Sequence, residues 1–343
     1  MKQNNPIKDF YIDREQIKYI GTDLQRPECI LTEPDGSLWT ADARGGVCHI
    51  YPNGSQKIIT QKHASKIEQN SQNVSRYFEG TLPNGLAFAE NGDILISNFG
   101  TDCLEIMKRT GETKVLFDTI DGNPIGKVNF VLRDSQNRIW ITVTTKKKNW
   151  IDALVPDLDD GYIARYDERG VCIVAEGLHF TNEVRFDANE EYLYAVETVG
   201  VNGGRIIRFK VDKNGNLHEK EVYGPDGLGK GAYPDGIAFD SYGNLWGTCV
   251  YSDKIFAITP EEEFKILLDE GDPQKIARLD QAFYKSCVTN EILFDTGRGI
   301  APWMASLAFG GSDLKTVYIG CLRGTTIPYF TAPVSGLPMI HWK

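Results

Sequence analysis

Six stretches of the chain share one pattern, a short apolar run, a turn rich in Gly, Asn and Asp, and a second apolar run. The first reads PECILTEPDGSLWTAD from Pro27. The frame returns as PNGLAFAENGDILISN from Pro83, VNFVLRDSQNRIWITV from Val128, TNEVRFDANEEYLYAV from Thr181, PDGIAFDSYGNLWGTC from Pro234 and MASLAFGGSDLKTVYIGC from Met304. Short apolar runs flanking turns such as EPDGS, AENGD and DSYGN are the signature of a β-hairpin. Third and fourth strands follow in most copies, for example GYIARYDERG and then VCIVAEG. A unit of four antiparallel strands repeated every 45 to 70 residues or so, with no helical period over most of the chain, predicts an all-β fold, a six-bladed β-propeller. One domain over residues 1–343 is expected, with residues 1–15 as a loosely ordered N-terminal extension.

Two segments break the rhythm, TKKKNWIDALVPDLDDG at 145–161 and a longer one at 269–303. In the second, Ile276, Leu279 and Phe283 have the spacing of a short helix. Loops of this length in a compact domain are commonly functional, and both are expected to roof the face that carries the site. A propeller must also close its ring, because open sheet edges invite aggregation. Residues 16–21, QIKYIG, are expected to close it as the outermost strand of the blade that holds residues 305–330.

With 343 residues and 41% apolar side chains the chain can bury a sizeable core. Its net charge of −10 argues against nucleic acid or an anionic membrane as partner, since either needs a basic footprint. A small molecule is the expected partner. The N-terminus lacks the apolar stretch of a secretory signal, and no run is long and apolar enough to span a bilayer, so a cytoplasmic location is expected. Seven scattered cysteines without CxxC spacing are read as small core residues rather than as a disulfide or zinc framework. His49, His63, His179, His218 and His341 share no ligand spacing and are read as structural.

The chemistry lies in the second residue of each repeat: Glu28, Asn84, Asn129, Asn182, Asp235 and, alone in being apolar, Ala305. In a propeller, equivalent positions on the innermost strands point at one spot on the axis. Two carboxylates about 4 Å apart there would repel by about 4 kcal/mol at an effective dielectric of 20. A bound dication removes that repulsion. Oxygen donors without His or Cys favour a hard cation, above all Ca²⁺, with Zn²⁺, Mn²⁺ and Fe²⁺ as alternatives. Ala305 leaves one side of the ion open to water or substrate.

The segments RPECILTEPDGSLWTAD, KVNFVLRDSQNRIW, HFTNEVRFDANEEYLYAVET and YPDGIAFDSYGNLW give the chain, from about residue 16 to 330, a resemblance to the senescence marker protein (regucalcin)/gluconolactonase family of six-bladed propellers. The resemblance implies a metal site of Glu28, Asn129, Asn182 and Asp235, with Asn129 and Asn84 also facing substrate. It implies hydrolysis of a sugar lactone or related small lactone, with the metal as Lewis acid and Asp235 as general base. Lys127 stands where relatives often carry a substrate-facing Arg. Glu183, where the family commonly has Gly, adds a carboxylate and is the reserve base. Asn84 replaces the histidine that related paraoxonases use for proton transfer. Two other readings stay open: a calcium-dependent phosphotriesterase of the diisopropylfluorophosphatase kind, and a non-catalytic ligand-binding propeller with a structural metal.

Overall fold

The computed structural model describes residues 4–62, 77–78 and 80–343; His63 lies outside them. Six four-stranded antiparallel sheets stand around one axis, with one two-stranded ribbon at 119–124 beside them. Their innermost strands start each repeat: Ile30–Thr32, Pro83–Phe88, Val128–Arg133, Thr181–Phe186, Pro234–Phe239 and Met304–Gly310. These six strands pack side by side around the axis, and blades 1 to 6 are numbered from them. The sixth blade is completed from the other end of the chain, where Lys18–Ile20 pairs antiparallel with Ile327–Thr331, Tyr19 opposite Pro328. Closure by the N-terminal strand is thus the arrangement expected from the sequence.

A polar device recurs at the hairpin turns of blades 1, 3 and 5. The indole N–H of Trp39 donates to Glu33 at 2.5 Å, that of Trp140 to Asp134 at 2.8 Å and that of Trp246 to Asp240 at 2.9 Å. Each carboxylate stands six residues before its tryptophan, at the mouth of the turn. The apolar body of the ring can therefore be buried without orphaning its N–H, which would otherwise cost about 1–3 kcal/mol.

Residues 4–15 correct one expectation. They are not a loose extension: Ile7 and Ile12 are buried in the cluster that holds Trp246, Leu307 and Phe330, and the Ile12 N–H donates to the Leu267 carbonyl at 3.0 Å. Two apolar side chains at this spacing suffice to lay the segment across the outer strands of blade 5.

The long segments behave as expected. Residues 273–284 form a helix capped by Asp272, which accepts from the Gln274 and Lys275 N–H groups, and it buries Ile276, Leu279, Ala282 and Phe283. Trp150, in the short 3₁₀ turn Trp150–Ala153, and Trp303 join that helix in one apolar cluster over the end of the axis where the ring residues lie. No helix among the described residues is long and apolar enough to cross a membrane.

Candidate active site

Five of the six ring residues project inward because the strand ladder slips at them, and Glu28 lies just before the first strand of its blade. In blades 2 to 6 the pairing of the first two strands is interrupted between Pro83 and Leu86, Val128 and Phe130, Thr181 and Val184, Pro234 and Ile237, and Met304 and Ser306. Asn84, Asn129, Asn182, Asp235 and Ala305 sit in these bulges, which re-aim a side chain out of the alternating pleat. The glycines that follow two of them are not turn residues. A Cβ on Gly85 would lie 2.7 Å from the Phe130 Cα, and one on Gly236 would lie 2.3 Å from the Ala305 carbonyl oxygen. Neighbouring blades meet there backbone to backbone.

Hydroxyls on the second strands, or directly after them, and in blade 6 on the first strand, lock the register between blades. Ser97 donates to the Asn129 carbonyl at 2.5 Å, Thr144 to the Thr181 carbonyl at 2.9 Å and Thr248 to the Ala305 carbonyl at 3.1 Å, while Ser306 donates to the carbonyl of Glu28.

Glu28, Asn84, Asn129, Asn182 and Asp235 are brought together, all buried, at the floor of one cavity. Asn84 is a bracket within it. Its amide donates to Glu28 Oε1 at 3.1 Å, to Asn129 Oδ1 at 3.2 Å and to the Asn129 carbonyl at 2.9 Å, and its own oxygen accepts from Arg26 at 2.5 Å. Three oxygens remain buried without a hydrogen-bond partner, Glu28 Oε2, Asn182 Oδ1 and Asp235 Oδ1. Burial pushes the Glu28 carboxyl up to about 8 against the partial relief of Arg26. It raises Asp235 well above the carboxylate range, with Glu28 and Glu183 adding repulsion. Among the described residues no three His, Cys, Asp or Glu side chains come together as a metal-holding group. A cation here would rest on two carboxylates and amide oxygens, a donor set that suits a hard ion. The unpartnered oxygens fit one.

Two residues expected at the substrate stand elsewhere. Lys127 is buried, but its ammonium pairs with Asp102 at 2.9 Å and lies 5.6 Å from the Phe99 ring, behind the cavity wall. Glu183 is buried between blades 4 and 5. It accepts from the Ile237 N–H at 3.1 Å and pairs with Arg185 at 3.1 Å, facing away from the cavity. Burial, opposed by Arg185, brings its carboxyl to about 7. His179 has a structural contact, its Nδ1 lying 3.0 Å from the Leu158 carbonyl oxygen.

Arg26 supplies the cation that Lys127 does not. It lines the cavity and holds Asn84 Oδ1 and the Pro83 carbonyl. Arg26, Lys127, Phe180 and Trp303 all stand two residues before a ring residue. What separates them is the backbone: Arg26, Phe180 and Trp303 adopt φ values of 56°, 50° and 59°, and these three line the cavity. The carbonyls of Phe180 and Trp303 are held by the N–H groups of Thr198, at 3.2 Å, and Leu322, at 3.0 Å. Those two donors, like Phe99 and Val250, directly follow the second strand of a blade and face the cavity. That position is a second periodic signal, and it would have located half of the wall.

The chain matches the SMP-30/Gluconolactonase/LRE-like region over residues 26–267. A 6-deoxy-6-sulfogluconolactonase from Pseudomonas putida is 24% identical over 168 residues, so that the match spans 49% of this chain and 47% of that protein. Among solved structures, a gluconolactonase from Xanthomonas campestris superposes with a TM-score of 0.63 at 14% identity, covering 93% of this chain and 89% of that one. A regucalcin from Agrobacterium tumefaciens, described as a calcium-binding protein, gives 0.64 at 13% identity over 95% and 98%. At these identities the structures speak for the fold. The family match extends over more than half of the chain and takes in Glu28, Asn84, Asn129, Asn182 and Asp235, and the chain belongs to the SMP-30/gluconolactonase/LRE-like family.

Proposed function

We propose that the protein is a hydrolase that opens a lactone over the ring of Glu28, Asn129, Asn182 and Asp235, with one divalent cation, Ca²⁺ by the chemistry of the donors, held there. The observation that carries this reading is the trio of buried, unpartnered oxygens on Glu28, Asn182 and Asp235. Three such acceptors converging without a donor would each cost about 1–3 kcal/mol, and a shared cation offsets that cost. When bound, the cation supplies Lewis-acid polarisation of the lactone carbonyl and stabilisation of the charge that develops on its oxygen.

The remaining work falls to the chain. Asp235 would hold the cation through its unpartnered Oδ1, and its other oxygen, beside the Asn182 amide, is placed to take the proton of the attacking water, the role of a general base. Asn84 fixes Glu28 Oε1, so that Oε2 is the atom presented to the cation. Asn129 is held by the same amide and limits where the substrate carbonyl can sit. Arg26, tied to Asn84, places a positive charge beside the carboxylate product. Glu183, hydrogen-bonded to blade 5 and paired with Arg185, stays outside the proton transfer and adds negative potential beneath the ring. The cytoplasm suits seven free cysteines, five of them buried.

The apolar wall described below would also take a phosphotriester, so the test uses both ester classes. The protein is stripped with chelator and assayed on lactones and a phosphotriester while single metals are added back. Lactone turnover restored by Ca²⁺ and abolished in Glu28→Gln at low metal is the expected result. Turnover that survives both chelation and Glu28→Gln would overturn the metal reading, and turnover of the phosphotriester alone would change the reaction class.

A further inference from the structure

Above the ring a cavity opens toward solvent, with the ring residues at its base. Its described walls are aromatic: Tyr77, Phe99, Trp150, Phe180, Tyr251 and Trp303. Their polar atoms are turned to the protein. The Trp150 indole N–H donates to the Tyr77 carbonyl at 3.0 Å, that of Trp303 to the Thr296 hydroxyl at 3.1 Å, and the Tyr77 hydroxyl to the Leu322 carbonyl at 3.2 Å. The cavity is therefore divided into a charged floor, with the ring and Arg26, and an apolar upper part.

A second observation bears on the same walls. Phe180 and Trp303 hold left-handed backbone, at φ 50° and 59°, a conformation that bulky residues adopt at a cost and that clusters at functional sites. Lys127, two residues before the ring in blade 3 as Phe180 is in blade 4, is outside this set and points behind the wall. The unfavourable conformation is thus found where an aromatic ring is delivered into the cavity.

We infer, resting on the lactonase reading above, that the preferred substrate is a lactone with an apolar aryl or alkyl body, seated among Phe180, Trp303 and Trp150 with its ester group on the floor. A polyhydroxylated sugar lactone would leave most of its hydroxyls facing aromatic carbon, with the Tyr251 side chain and the Thr198 hydroxyl, itself engaged by the Asn182 amide, as the exceptions among the described wall residues. Phe180 and Trp303 are then specificity-determining residues. An added hydroxyl in an apolar pocket is discriminated by about a hundredfold, and a sugar lactone carries several.

The test compares kcat/KM of the metal-loaded protein for dihydrocoumarin, δ-nonalactone and glucono-1,5-lactone. The expected result favours the first two by about a hundredfold or more, with Phe180→Ala raising KM for dihydrocoumarin about tenfold while kcat changes less. Glucono-1,5-lactone turned over equally well or better overturns the inference and leaves lactone hydrolysis standing. If none of the three is hydrolysed, the lactonase reading fails, and calorimetric titration of the same compounds decides the inference separately. Saturable binding of dihydrocoumarin without binding of glucono-1,5-lactone sustains an apolar site, and the reverse order, or no binding of any of the three, refutes it. Should Phe180→Ala not fold, Trp150→Ala, on the short 3₁₀ turn of the inserted segment, makes the same KM measurement.

Discussion

Phe180 allows the conformation of the wall to be tested apart from its chemistry. The perturbation is a pair of variants, Phe180→Ala and Phe180→Gly. Both remove the ring, which is 6% exposed and packs 6.3 Å from the Trp150 indole. Both therefore lose the same apolar contact to within one methyl, about 3–5 kcal/mol for a buried Phe. At an ordinary position the Gly variant would be the less stable by about 0.5–1 kcal/mol, because glycine loses more backbone freedom on folding. At φ 50° the order reverses. A Cβ in left-handed backbone costs about 1–2 kcal/mol and glycine is free of that cost, so Phe180→Gly should be more stable than Phe180→Ala by about 0.5–1 kcal/mol. Urea unfolding of the metal-loaded proteins measures the difference, provided the slopes of the two transitions agree. Both variants should lose dihydrocoumarin affinity alike. A Gly variant less stable than the Ala variant would refute the claim that the backbone is held in an unfavourable state to aim the ring.

Other consequences concern the floor and the roof. In Asn84→Ala, Glu28 Oε1 loses its amide donor, and since hydrogen bonds to charged groups contribute about 1.5–3 kcal/mol, Ca²⁺ affinity by titration calorimetry should fall about 10- to 150-fold. Unchanged affinity in a folded variant would show that Asn84 does not orient Glu28. At saturating metal, Asp235→Asn should stay about 10² to 10⁴ down in kcat while Glu28→Gln recovers more fully; equal recovery removes Asp235 from the base role. Asp253 accepts from the Gly299 N–H at 2.7 Å and the Trp303 N–H at 2.8 Å, so Asp253→Asn should raise KM and leave metal affinity alone. Burial lifts the Asp253 carboxyl from 3.8 to about 6, which means that the fold holds this proton more tightly than the unfolded chain does. Its contribution to stability is full below pH 4 and is lost as the pH rises through about 6. Wild type should accordingly gain on Asp253→Asn, by up to about 3 kcal/mol, between pH 7 and pH 4 in denaturant titrations, and a constant difference would contradict the shift.

What repeats in the chain was legible in its sequence. The blades, the closing strand and the five polar ring positions all follow from one frame, because a propeller turns equal spacing along the chain into a common point in space. The helix at 273–284 was legible from the spacing of Ile276, Leu279 and Phe283. What depends on a single blade was not. Lys127 and Phe180 occupy the same place in the frame, and only the left-handed backbone of the second sends it into the cavity. Glu183 adjoins Asn182 in sequence, yet the bulge between Thr181 and Val184 sends the two side chains to different surroundings. Arg26 escaped notice because no other blade carries an Arg two residues before its ring residue. Ile7, Phe10 and Ile12 fall outside the repeated frame and show no regular period with the strands they pack against, so nothing in the sequence tied them to the blade.

The same contrast divides the site by function. The ring is fixed by features that recur from blade to blade, the bulges of blades 2 to 6 and the hydroxyl pins of Ser97, Thr144, Thr248 and Ser306, so that moving one ring residue would mean moving a blade against its neighbours. The wall is built from what the blades do not share: Phe180 and Trp303 on unfavourable backbone, Trp150 on an inserted turn, and Trp303 again on a loop pinned by Asp253. Substitution at those positions leaves the interblade contacts intact. A fold arranged in this way can keep one oxygen-donor floor while the body of the substrate is changed above it. Exchange of Phe180 for a polar residue that tolerates left-handed backbone, Phe180→Asn, should therefore shift the preference toward hydroxylated lactones with metal affinity unchanged. A parallel loss of metal affinity would show that floor and wall are one cooperative unit after all.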